Sequence, residues 1–242
     1  PSKSPSAVPK ESPSTTENSD ASPRMSSRII LAILLSLSPA FAENGTPKND
    51  SPGARLFSEK CASCHGAKAA GDPKQQTPSL AALPEWYLTR QIGKFQKDIR
   101  GANPGDPDGL KMRAVAHTLK PEELKLLTAH IRKLPRVQSL FTLKGDVKKG
   151  RELFRENCMA CHRYNATGEL VFGSPPLTGL QDWYILKQLK KFKSGVRGDH
   201  EKDEEGRKMH SLAKTLTGEE LLNIATFIPH LAKEHAKDRH KE

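Results

Sequence analysis

Along most of this chain the apolar residues return every three or four positions. Leu88, Ile92, Phe95 and Ile99 step by four, three and four, which places them on one face of a helix, and Ile185, Leu189, Phe192 and Val196 repeat the step. A further amphipathic helix opens at Pro121-Glu122-Glu123 and turns Leu124, Leu127, Ile131 and Leu134 inward. Its counterpart opens with a capping box from Thr217 to Glu220 and carries Leu221, Ile224, Ile228 and Leu231. Ser51-Pro52 and Asp146 supply start signals for two more helices. No segment alternates with a period of two, and the Asp108-Gly109 and Asn44-Gly45 pairs read as loops, not hairpins. The pattern predicts an all-α fold.

It also predicts that one module is written twice. A shift of ninety-seven residues lays Gly53 on Gly150, Leu56-Phe57 on Leu153-Phe154, Pro78 on Pro175 and Trp86-Tyr87 on Trp183-Tyr184. The same shift brings Arg100-Gly101 onto Arg197-Gly198, Met112 onto Met209, and Leu124 and Ile131 onto Leu221 and Ile228. No gap is needed, so the copies form an ungapped internal duplication. Its period is too long for a solenoid repeat and suits two small domains, over residues 51–134 and 147–235, joined by a linker at 135–146.

The first 42 residues follow neither pattern. Residues 1–24 are rich in Ser, Pro, Thr and Glu and read as a disordered extension upstream of Met25. Residues 25–42 read as an export signal: Arg28, an apolar run from Ile29 to Leu37, then small residues at Ala40 and Ala42. As a helix, the 14 residues Ile29 to Ala42 would reach about 21 Å, short of the roughly 30 Å of a bilayer core. Cleavage after Ala42, a periplasmic or otherwise exported location and no membrane span thereafter are the expectations.

Mean hydropathy is -0.64 and aromatic residues make up 5% of the chain, so a core built of protein alone would be thin. The formal net charge is +11. In an exported protein this disfavours nucleic acid and favours an acidic partner. Arg90, Lys94 and Lys97 step along one helix, as do Lys187, Lys190 and Lys191 on its twin. The two readings of that stripe are a solvated face and a docking surface for an acidic redox partner, such as a terminal oxidase or an upstream dehydrogenase.

The four cysteines carry the chemistry. Cys61, Cys64 and His65 stand in "CASCH", and Cys158, Cys161 and His162 in "CMACH". Structural disulfides would leave both histidines unexplained. A zinc site would lack the residues to close a tetrahedron, and a thioredoxin-like dithiol would need a βαβ unit that is absent from the pattern. Covalent attachment of haem accounts for all six residues. Two cysteines one helical turn apart reach the two vinyl groups of a porphyrin, and the next residue offers its imidazole to the iron. Two covalently bound haem c groups are therefore expected.

Elimination gives the other axial ligands. Of four methionines, Met25 lies in the signal and Met159 inside its own pentapeptide. Met112 and Met209 remain, each 47 residues after its module's histidine and flanked by polar residues, and His/Met ligation follows. His117, His130, His200 and His210 have no histidine at the matching register position and read as surface residues.

With these motifs, the Pro-x-Leu at Pro78 and Pro175 and the "WYLTRQIGKF" and "WYILKQLKKF" helices, the chain resembles class I c-type cytochromes. The duplication makes it similar to the soluble two-haem cytochromes of the c-four type. The resemblance implies that the carbonyls of Pro78 and Pro175 accept hydrogen bonds from His65 and His162. It implies an electron-transfer protein, not an enzyme, carrying single electrons between partners outside the cytoplasm in a respiratory chain. A two-haem peroxidase is the alternative; it requires one iron able to shed its distal ligand.

Overall fold

The computed structural model describes residues 51–136 and 141–238. The expected extension and signal, and linker residues 137–140, lie outside them. Each apolar stripe becomes a helix whose ends are set by local chemistry. The first half holds α1 (Pro52–Lys60), α2 (Ala62–His65), α3 (Glu85–Gln96), α4 (Pro107–His117) and α5 (Pro121–Ile131). The second half holds α6 (Val147–Asn157), α7 (Met159–His162), α8 (Asp182–Lys193), α9 (Glu204–Thr215) and α10 (Gly218–Asp238). The Ser51 side chain accepts a hydrogen bond from the Ala54 N–H, and Asp146 accepts from Lys148 and Lys149. Thr217 and Glu220 exchange hydrogen bonds at the start of α10, so the capping box forms. Beyond helices, the described residues hold only isolated bridges, at Asp72–Thr77 and, ninety-seven residues on, Glu169–Ser174.

Three local readings differ. Asp108-Gly109 lies in the first turn of α4, because Asp106 caps that helix through the Gly109 N–H at 2.8 Å. Helices α3, α5 and α8 end at Gln96, Ile131 and Lys193, so Ile99, Leu134 and Val196 fall beyond them. The last ten residues of α10 have no helical counterpart after α5, and the helix continues through Pro229.

In each half the first and last helices cross at a glycine. A Cβ on Gly53 would lie 2.3 Å from the Leu126 carbonyl oxygen, and one on Gly150 would lie 2.1 Å from that of Asn223. That contact brings Phe57 against Leu127 and Ile131 in one half, and Phe154 against Phe227 and Ile228 in the other, all buried. The end of the linker belongs to the second half. The buried carboxylate of Asp182 accepts from the Thr142 N–H at 2.5 Å, the Thr142 hydroxyl at 2.6 Å and the Leu143 N–H at 2.8 Å.

The two halves dock through α3, α8 and the starts of α4 and α9, with matching contacts on both sides. Arg90 pairs with Glu205 at 2.7 Å, and its register twin Lys187 pairs with Asp108 at 2.6 Å. Lys94 pairs with Asp203 and Glu205; its twin Lys191 pairs with Asp106 and Asp108. This corrects both readings of the basic stripe for Arg90, Lys94, Lys187 and Lys191. Four of its six cations face the other half of the same chain, because the capping and first-turn acids of α4 and α9 lie opposite them. Only Lys97 and Lys190 stay exposed.

Candidate haem sites

The pentapeptides end α1 and α6 and form the short helices α2 and α7, so each histidine turns inward while the second cysteine of each pair stays exposed. His65 is 4% exposed and His162 is 5% exposed. Nδ1 of His65 donates to the Pro78 carbonyl at 2.9 Å, and Nδ1 of His162 donates to the Pro175 carbonyl at 3.0 Å. A carbonyl can only accept, so that bond fixes the tautomer and leaves Nε2 as a bare lone pair. Burial pushes both imidazoles below the usual histidine range, and the bond to the proline carbonyl offsets this only in part. They stay neutral, as a metal ligand must.

Each histidine lines a largely apolar cleft. The first holds about 1400 Å³ of empty space, open solvent at its mouth included, and is walled by Cys61, Cys64, Leu80, Met112 and Leu127 among others. The second holds about 1170 Å³, with Cys158, Cys161, Leu177, Met209 and Ile228 in its walls. Met112 comes from α4 and Met209 from α9, so each shares its cleft with the histidine of its own half. The rival histidines do not line either cleft. His117 bonds Asp98, His130 packs on Phe57, and His210 donates to the Phe192 carbonyl.

A residue set that the sequence reading passed over forms the wall common to both clefts. Gln91 Oε1 accepts from Arg100 at 2.7 Å and from Arg197 at 3.1 Å; Gln188 Oε1 accepts from Arg197 at 2.8 Å and from Arg100 at 3.3 Å. Tyr184 and Tyr87 complete the ring, accepting from Arg100 and Arg197. Each guanidinium lies over a phenylalanine of its own half, Phe95 or Phe192. Burial alone would raise the Tyr184 hydroxyl, yet the two arginines pull it below the usual tyrosine range. The available signal was that Tyr87, Gln91 and Arg100 all recur unchanged ninety-seven residues later.

These residues fit haem c. Nε2 of His65 is buried in the cleft with no hydrogen-bond partner, the state expected of an atom meant for iron. Nε of the buried Arg197 is likewise unpartnered, and the hydrogen bonds of the two guanidiniums just described go to neutral oxygens, so the common wall offers positive charge to an anionic substituent. The apolar walls suit a macrocycle, and the cysteines of each pair are bonded to no other cysteine. Burial pushes the Cys61 thiol up to about 11 and the Cys158 thiol up to about 12. The halves differ at the rim. Phe172 lines the second cleft and is exposed, as are Tyr164, Leu170 and Val171 nearby in sequence, whereas their register twins are Gln75, Ala67, Pro73 and Lys74.

Comparison with known proteins agrees with this geometry. The family model for cytochrome c matches residues 51–135 and again residues 147–232. The thiosulfate dehydrogenase electron acceptor of Stutzerimonas stutzeri (strain A1501) is 26% identical over 214 residues, covering 84% of this chain and 93% of that protein. The cbb3-type cytochrome c oxidase subunit FixP of Sinorhizobium medicae (strain WSM419) is 30% identical over 156 residues, or 60% of this chain. The chain spans about half the length of that relative, 52%. The crystal structure of reduced recombinant cytochrome c4 from Pseudomonas stutzeri matches with a TM-score of 0.57 at 25% identity, over 73% of this chain and 95% of that one. Two helical modules, each closing a cleft over its own pentapeptide, thus place the chain in the cytochrome c family, as a two-haem member of the cytochrome c4 type that binds both haem c groups covalently.

Proposed function

We propose that the protein carries single electrons between redox partners outside the cytoplasm, and that His65 and Met112 would hold the iron in the first half and His162 and Met209 in the second. The observation that carries this reading is that each cleft is lined by one buried neutral histidine and one methionine from a different helix. Haem c bound there supplies an iron that alternates between ferric and ferrous, and a thioether ligand favours the ferrous form. The protein's own part would be to hold the iron through one histidine and one methionine in each half and to place Arg100 and the buried Arg197 in the wall between the clefts. An iron held by both side chains would keep no position for a substrate. This favours a carrier over a peroxidase.

The relatives' names support a respiratory setting, in which an oxidase or a dehydrogenase is the partner. The net charge of +11 supports an acidic docking surface on that partner, met by the exposed Lys97 and Lys190. Export rests on the reading of residues 25–42; no helix among the described residues is long and apolar enough to cross a membrane.

The test is the visible spectrum of the purified holoprotein under redox titration, with intact mass giving two haems. Met112→Ala and Met209→Ala should each remove half of the far-red sulfur-to-iron band. A band unchanged in both variants overturns the ligand assignment, and steady peroxide turnover by the reduced protein restores the peroxidase reading.

A further inference from the structure

Each methionine-bearing helix starts on a carboxylate gripped by the other half of the molecule. Helix α4, which carries Met112, is capped by Asp106, whose Oδ1 accepts from the Gly109 N–H. The same Oδ1 accepts from Nζ of Lys191, on α8 of the second half, at 2.5 Å. Helix α9, which carries Met209, is capped by Asp203 through the Gly206 N–H at 3.0 Å, and Oδ1 of Asp203 also accepts from Nζ of Lys94, on α3 of the first half. Both capping aspartates are 2% exposed. A second carboxylate two residues on completes each clasp: Asp108 accepts from Lys191 at 3.1 Å, and Glu205 accepts from Lys94 at 2.7 Å.

The glycine inside each first turn belongs to the same arrangement. A Cβ on Gly109 would lie 2.3 Å from Oδ2 of Asp106, and one on Gly206 would lie 2.1 Å from Oδ2 of Asp203. Glycine lets the carboxylate lie flat on the turn with one oxygen serving both the cap and the lysine. Each methionine follows its capping aspartate by six residues, about 9 Å along the helix. A tilt of the first turn is therefore carried straight to the sulfur.

We propose that Lys94 and Lys191 are crossed positioning residues: Lys94 sets the place of Met209 at the second haem, and Lys191 sets the place of Met112 at the first. Docking of the halves and strength of the sulfur ligand are then linked. An aspartate that loses its lysine stays buried with an uncompensated charge, and the helix start relaxes toward water. This rests on Met112 and Met209 being axial ligands, and the experiment separates the two ideas.

The holoprotein is prepared with Met112→Ala, so that the remaining far-red band reports the second haem alone, and with Met209→Ala for the first. Imidazole is then titrated until it displaces the remaining methionine. Adding Lys94→Met to the Met112→Ala protein should lower the imidazole concentration for half-displacement about tenfold, and Lys94→Arg should restore it. Lys191→Met should do the same only in the Met209→Ala protein. An effect confined to the lysine's own half, equal effects on both haems, or none, overturns the proposal. If the single methionine substitutions leave the full band, the ligand reading has failed instead. Should Lys94→Met fail to fold, Arg90→Gln loosens the partly exposed end of the same clasp at Glu205, and a weaker shift in the same direction is expected; no shift overturns the proposal.

Discussion

Arg163 follows the second pentapeptide at φ 66°, ψ 159°, where the first copy has Gly66 at φ 76°, ψ 152°. That region is open to glycine and costs other residues about 1–3 kcal/mol. The ion pair from Arg163 to Glu169, with the arginine 58% exposed, returns little of it. Arg163→Gly should therefore raise the stability of the holoprotein by about 1 kcal/mol, read as a higher midpoint in thermal melting with an unchanged visible spectrum. At this scale the pentapeptides were legible because spacing along a helical turn dictates what two thiols and an imidazole can reach. Met112 and Met209 were found by register and elimination, and they do share a cleft with the histidines. Arg100, Arg197, Gln91 and Gln188 were not read as a site, because their chemistry exists only where the two copies meet.

Helix starts and stripes were legible for the same local reason: a cap bonds its own next turn, and a stripe needs only its own spacing. The direction in which a charged stripe faces is not local. Lys94 and Asp203 stand 109 residues apart, and nothing in either neighbourhood marks them as a pair. The consequence for docking is specific. Reversing Lys97 and Lys190 to Glu should slow electron transfer to an acidic partner at low salt and leave the halves docked, since both side chains are exposed. Reversing Lys187 and Lys191 should instead part the halves, because it sets four carboxylates against one another. Stopped-flow rates together with small-angle scattering tell these outcomes apart: slow transfer without expansion is expected for the first pair, and expansion for the second.

For the whole molecule, the clasps predict a pH response. Burial works to raise Asp108, but its bonds to Lys187 and Lys191 hold it below the usual 3.8; Glu205 is likewise held below 4.5, against burial, by Lys94. A carboxylate held below its unfolded value contributes stability that is complete above that value and lost as pH falls through the folded one. The radius of gyration should stay constant from neutral pH down to about 5 and grow only below 3.8, the ordinary value for Asp108. Expansion already at the higher pH would show that these pairs do not hold the halves together. The duplication itself was plain in the sequence, yet the interface it creates was not, because matching registers say that two modules are alike and nothing about which faces meet. Those faces turn out to be the same face used twice, the arrangement of a two-fold homodimer. Joined by one linker, they no longer meet by diffusion: the tether holds each near the other at an effective concentration in roughly the millimolar range. Two separate one-haem proteins with these contacts would come apart on dilution. This chain keeps its haem sites paired however dilute it becomes.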